Sequence, residues 1–134
     1  SCKTLQVARS NAEWLDQSQI HFVQSNLLSP FNTKFDLICA NLPYIPSSVL
    51  AGLSVSKWEP YIALDGGESG LRLINILLKQ AKTRLAKPGM ILLEIDSNLG
   101  EAALNTARDT FPHANHLLIK DLTDRHRSIE IHQD

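Results

Sequence analysis

Hydrophobic positions alternate along the chain between helical spacing and short continuous runs. Apolar residues recur on one helical face from Lys3 to Leu15, from Leu71 to Leu85 and from Leu99 to Phe111. Between these helices, short apolar runs predict strands at His21 to Gln24, Phe35 to Ala40, Met90 to Ile95, His116 to Lys120 and Ser128 to His132. The alternation predicts an α/β sheet with helices on both faces, and the short last connection predicts a final antiparallel pair.

The longest segment without a regular pattern runs from Asn41 to Gly70 and is rich in proline and glycine. It follows the run Phe35 to Ala40, which is nearly all apolar and therefore predicts a buried parallel strand. In α/β sheets, ligands bind beyond the carboxyl ends of the strands. We therefore expect the functional residues at Asn41 and in the long loop that follows. This loop is long enough to contain a short helical turn.

Composition narrows the class of protein further. The 134 residues suffice for one domain, 1–134, and the net charge of -1 argues against a dedicated nucleic-acid binder, although it does not exclude contact with nucleic acid. We expect a soluble cytoplasmic protein because no apolar run reaches membrane-spanning length. Cys2 and Cys39 predict neither a disulfide nor a metal site, and Cys39 is expected to be a small buried hydrophobic residue.

The sequence Asn41-Leu42-Pro43-Tyr44 ends the predicted strand abruptly and suits a planar amine or amide. The Asn41 side-chain oxygen accepts one hydrogen bond, and the Leu42 carbonyl accepts another if the turn leaves it unpaired. Pro43 fixes its own backbone angle and removes a competing donor, while the ring of Tyr44 offers a face for stacking. An ordinary exit turn explains the same four residues about as well.

Those four residues resemble the (N/D/S)-P-P-(Y/F/W) motif of methyltransferases that act on amino and amide nitrogens. Residues 59–71 resemble the EP-x-x-AL-x-GG-x-x-GL signature of the HemK-type glutamine methyltransferases. Leu92 to Ile95 is similar to the next strand of that family, and residues 120–127 are similar to its closing segment. The resemblance covers nearly the whole chain in one register.

This resemblance implies a Rossmann-like class I methyltransferase sheet, mostly parallel with an antiparallel final strand. It also implies S-adenosyl-L-methionine as the cofactor, and the side-chain amide of a glutamine in peptide chain release factors as the substrate. Asn41 and the Leu42 carbonyl would hold the amide, Pro43 would shape the turn and Tyr44 would pack against the glutamine. The methyl group would pass directly to nitrogen, with no metal and no covalent enzyme intermediate.

For the cofactor, the resemblance implies contacts from Asn26, Leu27 and Asn41. Asn26 stands where the family has an aspartate beside the adenine, and Leu42 replaces the first proline of the motif. The family's glycine-rich loop and its ribose-binding acid would precede Ser1. The resemblance therefore implies an N-terminally truncated catalytic domain that lacks the first two strands, and it leaves open whether these residues act alone.

Without those two strands, the Phe35 to Ala40 strand would present an unpaired edge. We expect it to pair with the first predicted strand, to associate with a second chain, or to be covered by a part of the protein outside this sequence. Two other functions remain open: an amino-methyltransferase that acts on nucleic acid through the same turn, and a non-catalytic module that only binds a partner.

Overall fold

The computed structural model describes residues 2–134 and divides them into two compact units, which meet between Pro30 and Phe31. The described part of the first unit contains one helix, α1 (Cys2–Trp14), of which Ala12 is the buried residue. The strand predicted at His21 to Gln24 is wrong, since the backbone there forms neither helix nor strand. A strand requires a hydrogen-bonded neighbour for its backbone groups, and no ladder in the first unit engages this segment.

The second unit contains the other elements. They are the strands β1 (Phe35–Asn41), β2 (Leu85–Glu94), β3 (Asn115–Lys120) and β4 (His126–Gln133), and the helices α2 (Ser47–Leu50), α3 (Tyr61–Leu64), α4 (Arg72–Ala81) and α5 (Gly100–Thr110). Short 3₁₀ helices lie at Ser54–Lys57 and Ser97–Leu99. The segment predicted as a long loop thus contains three short helical turns.

The four strands form one mixed sheet in the order β1-β2-β4-β3. β1 and β2 are parallel, whereas β4 is antiparallel to both of its neighbours, β2 and β3. Three strands therefore run in one direction and the final strand runs against them, as predicted. β1 has β2 as its single neighbour within the sheet and is an edge strand.

The core of the second unit lies on one face of this sheet. α4 contacts α5, and α5 contacts β3 and β4, so both helices cover the same face. The side chains beneath them are almost fully buried: Ile38, Ile91, Leu93, Ile129 and Ile131 from the sheet, and Ile74, Leu77, Leu78, Ala81, Ala103 and Ala107 from the helices. Burying a side chain of this kind contributes roughly 1.5–3 kcal/mol.

The opposite face of the sheet differs from the prediction. Within the second unit no helix covers it, and Leu37 and Leu117 are each about half exposed there. Cys39 was expected to be buried but is exposed, because its side chain points to this face from an edge strand. β1 is for the same reason not a fully buried strand, and Ile38 is its one buried residue.

The predicted helix from Leu71 to Leu85 is shorter than expected. α4 ends at Ala81, a turn follows, and Leu85 already belongs to β2, where it lies opposite Phe35. Pro88 and Gly89 also lie inside this strand. A single buried residue such as Leu85 fits the repeat of a helix and the repeat of a strand. Its spacing from the helix therefore does not show that the helix includes it. No helix in residues 2–134 is long and apolar enough to cross a membrane.

Candidate active site

The predicted site lies at the carboxyl end of β1, where the parallel strands β1 and β2 end side by side. Asn41 is the last residue of β1 and lies opposite Glu94, the last residue of β2. Opposed residues of neighbouring strands direct their side chains to the same face of the sheet. The register therefore places a carboxylate beside the first residue of the predicted motif.

Two hydrogen bonds connect Glu94 to this motif. The Asn41 side-chain nitrogen donates to Glu94 Oε2 at 2.8 Å, and the Tyr44 hydroxyl donates to Glu94 Oε1 at a longer 3.4 Å. Glu94 is thus a half-buried hydrogen-bond partner of the motif. Only the pairing of β1 with β2 reveals the contact, because 53 residues separate Asn41 from Glu94.

The phenol of Tyr44 is partly buried beside this carboxylate. Burial is the largest influence and raises the pKa of Tyr44 above its ordinary value of 10.0, and the negative charge of Glu94 raises it further. The positive charge of Arg127 acts in the opposite direction. Tyr44 is therefore a neutral hydroxyl at physiological pH, able to donate its hydrogen bond to Glu94.

Asn41 borders two open cavities. The first, of about 500 Å³, lies over the sheet and is lined by Cys39, Ala40, Asn41, Leu92, Glu94, Arg127 and Ser128. The second, of about 490 Å³, lies between the motif and the following loop and is lined by Asn41, Leu42, Pro43, Tyr44, Ile45, Val55, Glu59, Ala63 and Leu64. Each falls in the range of small-ligand sites. The four residues predicted as catalytic thus lie together along the second cavity.

The Leu42 carbonyl fulfils the condition that the sequence analysis set for it. Within residues 2–134, no backbone N–H donates to this oxygen. The Asn41 side-chain oxygen likewise faces away from the hydrogen bond that its nitrogen makes. The turn therefore presents two acceptors.

The loop that closes the second cavity is hydrogen-bonded to the residue that follows Tyr44. Ile45 and Asp65 form a parallel bridge, the Ile45 N–H donates to Leu64 O at 3.1 Å, and the Gly66 N–H donates to Ile45 O at 2.8 Å. A Cβ atom on Gly66 would lie 2.7 Å from the Tyr44 Cα, closer than van der Waals contact allows. Gly66 therefore allows two backbone segments to pack against each other.

Asp65 stabilises the same crossing. Its carboxylate accepts from the Ser47 hydroxyl at 2.5 Å and from the Gly67 N–H at 3.2 Å, and it pairs with Arg72 at 3.3 Å. The hydrogen bond from Ser47 is the main reason that the pKa of Asp65 lies below its ordinary value. Asp65 therefore remains a carboxylate that links both ends of the loop.

The two other residues predicted to bind the cofactor, Asn26 and Leu27, lie in the first unit. Asn26 is exposed in a turn and Leu27 is half-buried. Leu27 has a φ of 53°, a left-handed backbone that is unusual for a branched apolar residue. Among residues 2–134, no group of three potential metal ligands occurs.

Proteins that are similar to this chain in sequence include several release factor glutamine methyltransferases. The chain is 36% identical over 126 residues to a release factor glutamine methyltransferase of Moorella thermoacetica, an alignment that covers 92% of the chain and 44% of that protein. It is 33% identical over 132 residues to one of Bacillus cereus, with 95% and 46% covered. Over nearly its whole length, the chain is therefore similar to part of the release factor glutamine methyltransferases. It spans about half the length of the curated relatives that it matches.

One solved structure has a fold similar to that of this chain. A ribosomal protein L11 methylase of Lactobacillus delbrueckii subsp. bulgaricus matches with a TM-score of 0.65 at 18% identity, over 100% of this chain and 55% of that one. At this identity the match concerns the fold alone, which is that of a methyltransferase. No protein-family model matches the chain.

Proposed function

We propose that this chain forms the amide-binding part of an S-adenosyl-L-methionine-dependent N-methyltransferase that acts on a glutamine side chain of a peptide chain release factor. The observation that carries the proposal is the pair of acceptors at the end of β1. Asn41 and Leu42 line one cavity with Tyr44, the Asn41 nitrogen is bonded to Glu94, and no backbone N–H within residues 2–134 donates to the Leu42 carbonyl. A primary amide has two N–H donors that match this arrangement.

The chemistry explains why a site for this reaction needs acceptors. The lone pair of an amide nitrogen is delocalised into its carbonyl group, which makes it a poor nucleophile. When the N–C bond forms and the S–C bond breaks, the nitrogen becomes pyramidal and partly positive, and it then releases one proton. Two oxygen acceptors on its hydrogens hold the nitrogen in line and stabilise that charge more than they stabilise the planar ground state.

Tyr44 contributes through position. Tyr44 is half-buried, its hydroxyl donates to Glu94, and it lines the same cavity as Asn41. Because the ring is already held in this way, it would lose little further freedom when a planar amide stacks on it. Pro43 restricts the backbone angles of the turn between Asn41 and Tyr44.

The cofactor would supply an electrophilic methyl group on a sulfonium. Asn26 is compatible with an adenine amino group because its exposed side-chain oxygen can accept from it, and the half-buried Leu27 offers an apolar contact. Calorimetric titration with S-adenosylhomocysteine tests these two residues, and Asn26→Ala should weaken binding about 10-fold.

Methyl transfer tests the proposal itself. The chain is incubated with S-adenosyl-L-methionine carrying a labelled methyl group and with a release factor, and mass spectrometry locates the label. We expect one methylated glutamine, and a rate about 100-fold lower for Asn41→Ala because one of the two acceptors is lost. Asn105→Ala, an exposed asparagine on α5, should retain the rate.

A parallel reaction with stripped RNA distinguishes the alternative acceptor. The same two oxygens would also accept from an exocyclic amino group of a base. Label on the RNA but none on the release factor would overturn the proposal in favour of a nucleic-acid amino-methyltransferase. Label on neither substrate would contradict catalysis by this chain.

A further inference from the structure

Glu94 touches both side chains on which the proposed function depends. One carboxylate oxygen accepts from the Asn41 side-chain nitrogen, and the other accepts from the Tyr44 hydroxyl. Glu94 is half-buried and forms a wall of the cavity that lies over the sheet. It lies outside the four-residue motif, and the pairing of β1 with β2 places it beside Asn41.

The charge of Glu94 decides how the amide of Asn41 is turned. An ionised carboxylate only accepts hydrogen bonds, so the Asn41 side chain must direct its NH₂ group toward Glu94. Its carbonyl oxygen then faces the other way. If Asn41 turned by 180°, its oxygen would oppose the carboxylate, and its NH₂ group would oppose the N–H donors of a target amide.

We propose that Glu94 is a positioning residue of this site, which selects the acceptor orientation of Asn41 and fixes the ring of Tyr44. The proposal rests on the proposed function, since a target amide is what requires that orientation. Glu94 need not touch the substrate. It acts by removing the orientation of Asn41 in which the site would repel its own target.

The backbone around Glu94 is rigid enough for this role. β2 is flanked on both sides, so Glu94 lies between Asn41 of β1 and Ser128 of β4. The next residue, Ile95, is fully buried, and its N–H donates to Arg127 O at 2.9 Å. A carboxylate on such a strand end is positioned more precisely than a carboxylate on a loop would be.

Nuclear magnetic resonance relaxation of the Asn41 side-chain amide tests the proposal without any need for catalysis. In the wild-type chain we expect an order parameter near that of rigid backbone, about 0.85, and in Glu94→Ala a value below about 0.6. Glu94→Gln keeps the shape but both donates and accepts, so it should give an intermediate value. Glu130→Gln changes another half-buried glutamate on the same sheet face, bonded to His132, and should leave Asn41 unchanged.

Methyl transfer to a release factor supplies the second measurement. We expect kcat/KM to fall about 100-fold in Glu94→Ala, with partial recovery in Glu94→Gln, whereas the affinity for S-adenosylhomocysteine stays constant. An Asn41 amide as rigid in Glu94→Ala as in the wild type would overturn the proposal. If the wild-type chain transfers no methyl group, the proposed function fails, and the relaxation measurement still decides whether Glu94 orients Asn41.

Discussion

Gly66 lies so close to Tyr44 that a Cβ atom on the glycine would come within 2.7 Å of the Tyr44 Cα. The contact joins the end of the loop to the motif that begins it, across 22 residues of chain. It explains in physical terms why glycine is required at this position. The geometry of the candidate site therefore depends on a residue outside the motif.

Replacement of Gly66 by alanine tests this packing. The added methyl group must displace backbone atoms of Tyr44 and Gly70, so we expect a loss of about 1–3 kcal/mol in the free energy of unfolding. Urea unfolding followed by circular dichroism measures it. Gly52→Ala is the matched control, because its nearest contact would be Val49 O at an ordinary 3.6 Å, and it should change stability by less than about 0.5 kcal/mol. Equal effects of the two substitutions would refute the packing argument.

The titration of Tyr44 tests the electrostatics of the site. Burial and the charge of Glu94 raise its pKa above 10.0 in the folded chain, so the folded state resists ionisation. Stability should therefore decline as pH rises above 10.0, where the unfolded chain ionises first. Ultraviolet absorption of the phenolate in a Tyr61→Phe background isolates Tyr44. Glu94→Gln should bring its pKa down toward 10.0, and an unchanged titration curve would show that Glu94 exerts no field on the phenol.

The hairpin between β3 and β4 should respond to acid. The pKa of Asp121 lies at about 2, chiefly because its carboxylate accepts from the Thr123 hydroxyl, with further bonds from the Arg125 and Thr123 N–H groups. A lowered pKa stabilises the folded state above the ordinary value of 3.8, and this contribution is lost as pH falls from 3.8 toward 2. Unfolding free energies across that window should fall less in Asp121→Asn than in the wild type.

Asp124→Asn is the control for that experiment. Asp124 lies in the same turn with a φ of 62°, which asparagine also tolerates, and the bonds to Asp121 remain. We expect this variant to retain the acid-dependent loss. If it removes the loss as completely as Asp121→Asn does, the assignment to Asp121 is incorrect.

The edge of β1 remains a proposed site of self-association. β1 has one neighbour in the sheet, and its residue Leu37 is 50% exposed. Sedimentation velocity should show a concentration-dependent dimer that Leu37→Lys weakens, because a charge at an edge opposes pairing with another strand. Leu117→Lys, on the other edge strand β3, should leave it intact. A monomer at every concentration would contradict this expectation.

Sequence reasoning predicted the end of β1 better than it predicted the surroundings of that strand end. The polar residue after an apolar run, followed by proline and an aromatic residue, correctly put Asn41 at the carboxyl end of a strand. The direction of the final strand was also predictable, since the short connection after Lys120 permits only an antiparallel return. In both cases the information is local in the chain.

The errors concern contacts between distant segments. Nothing near Glu94 in the sequence reveals that Asn41 lies opposite. Cys39 looked buried because its neighbours are apolar, yet its exposure depends on which face the helices cover. The strand predicted at His21 to Gln24 failed because an extended segment also needs a partner.

The most direct test of the central claim is binding of a glutamine side chain at the motif. Backbone and side-chain amide resonances of the labelled chain are followed during titration with a short glutamine peptide and, separately, with the same peptide carrying glutamate. We predict that the glutamine peptide shifts the resonances of Asn41, Leu42 and Tyr44, whereas the glutamate peptide does not, because its carboxylate cannot donate to the two acceptors. Equal responses to both peptides, or shifts confined to other regions, would contradict the account.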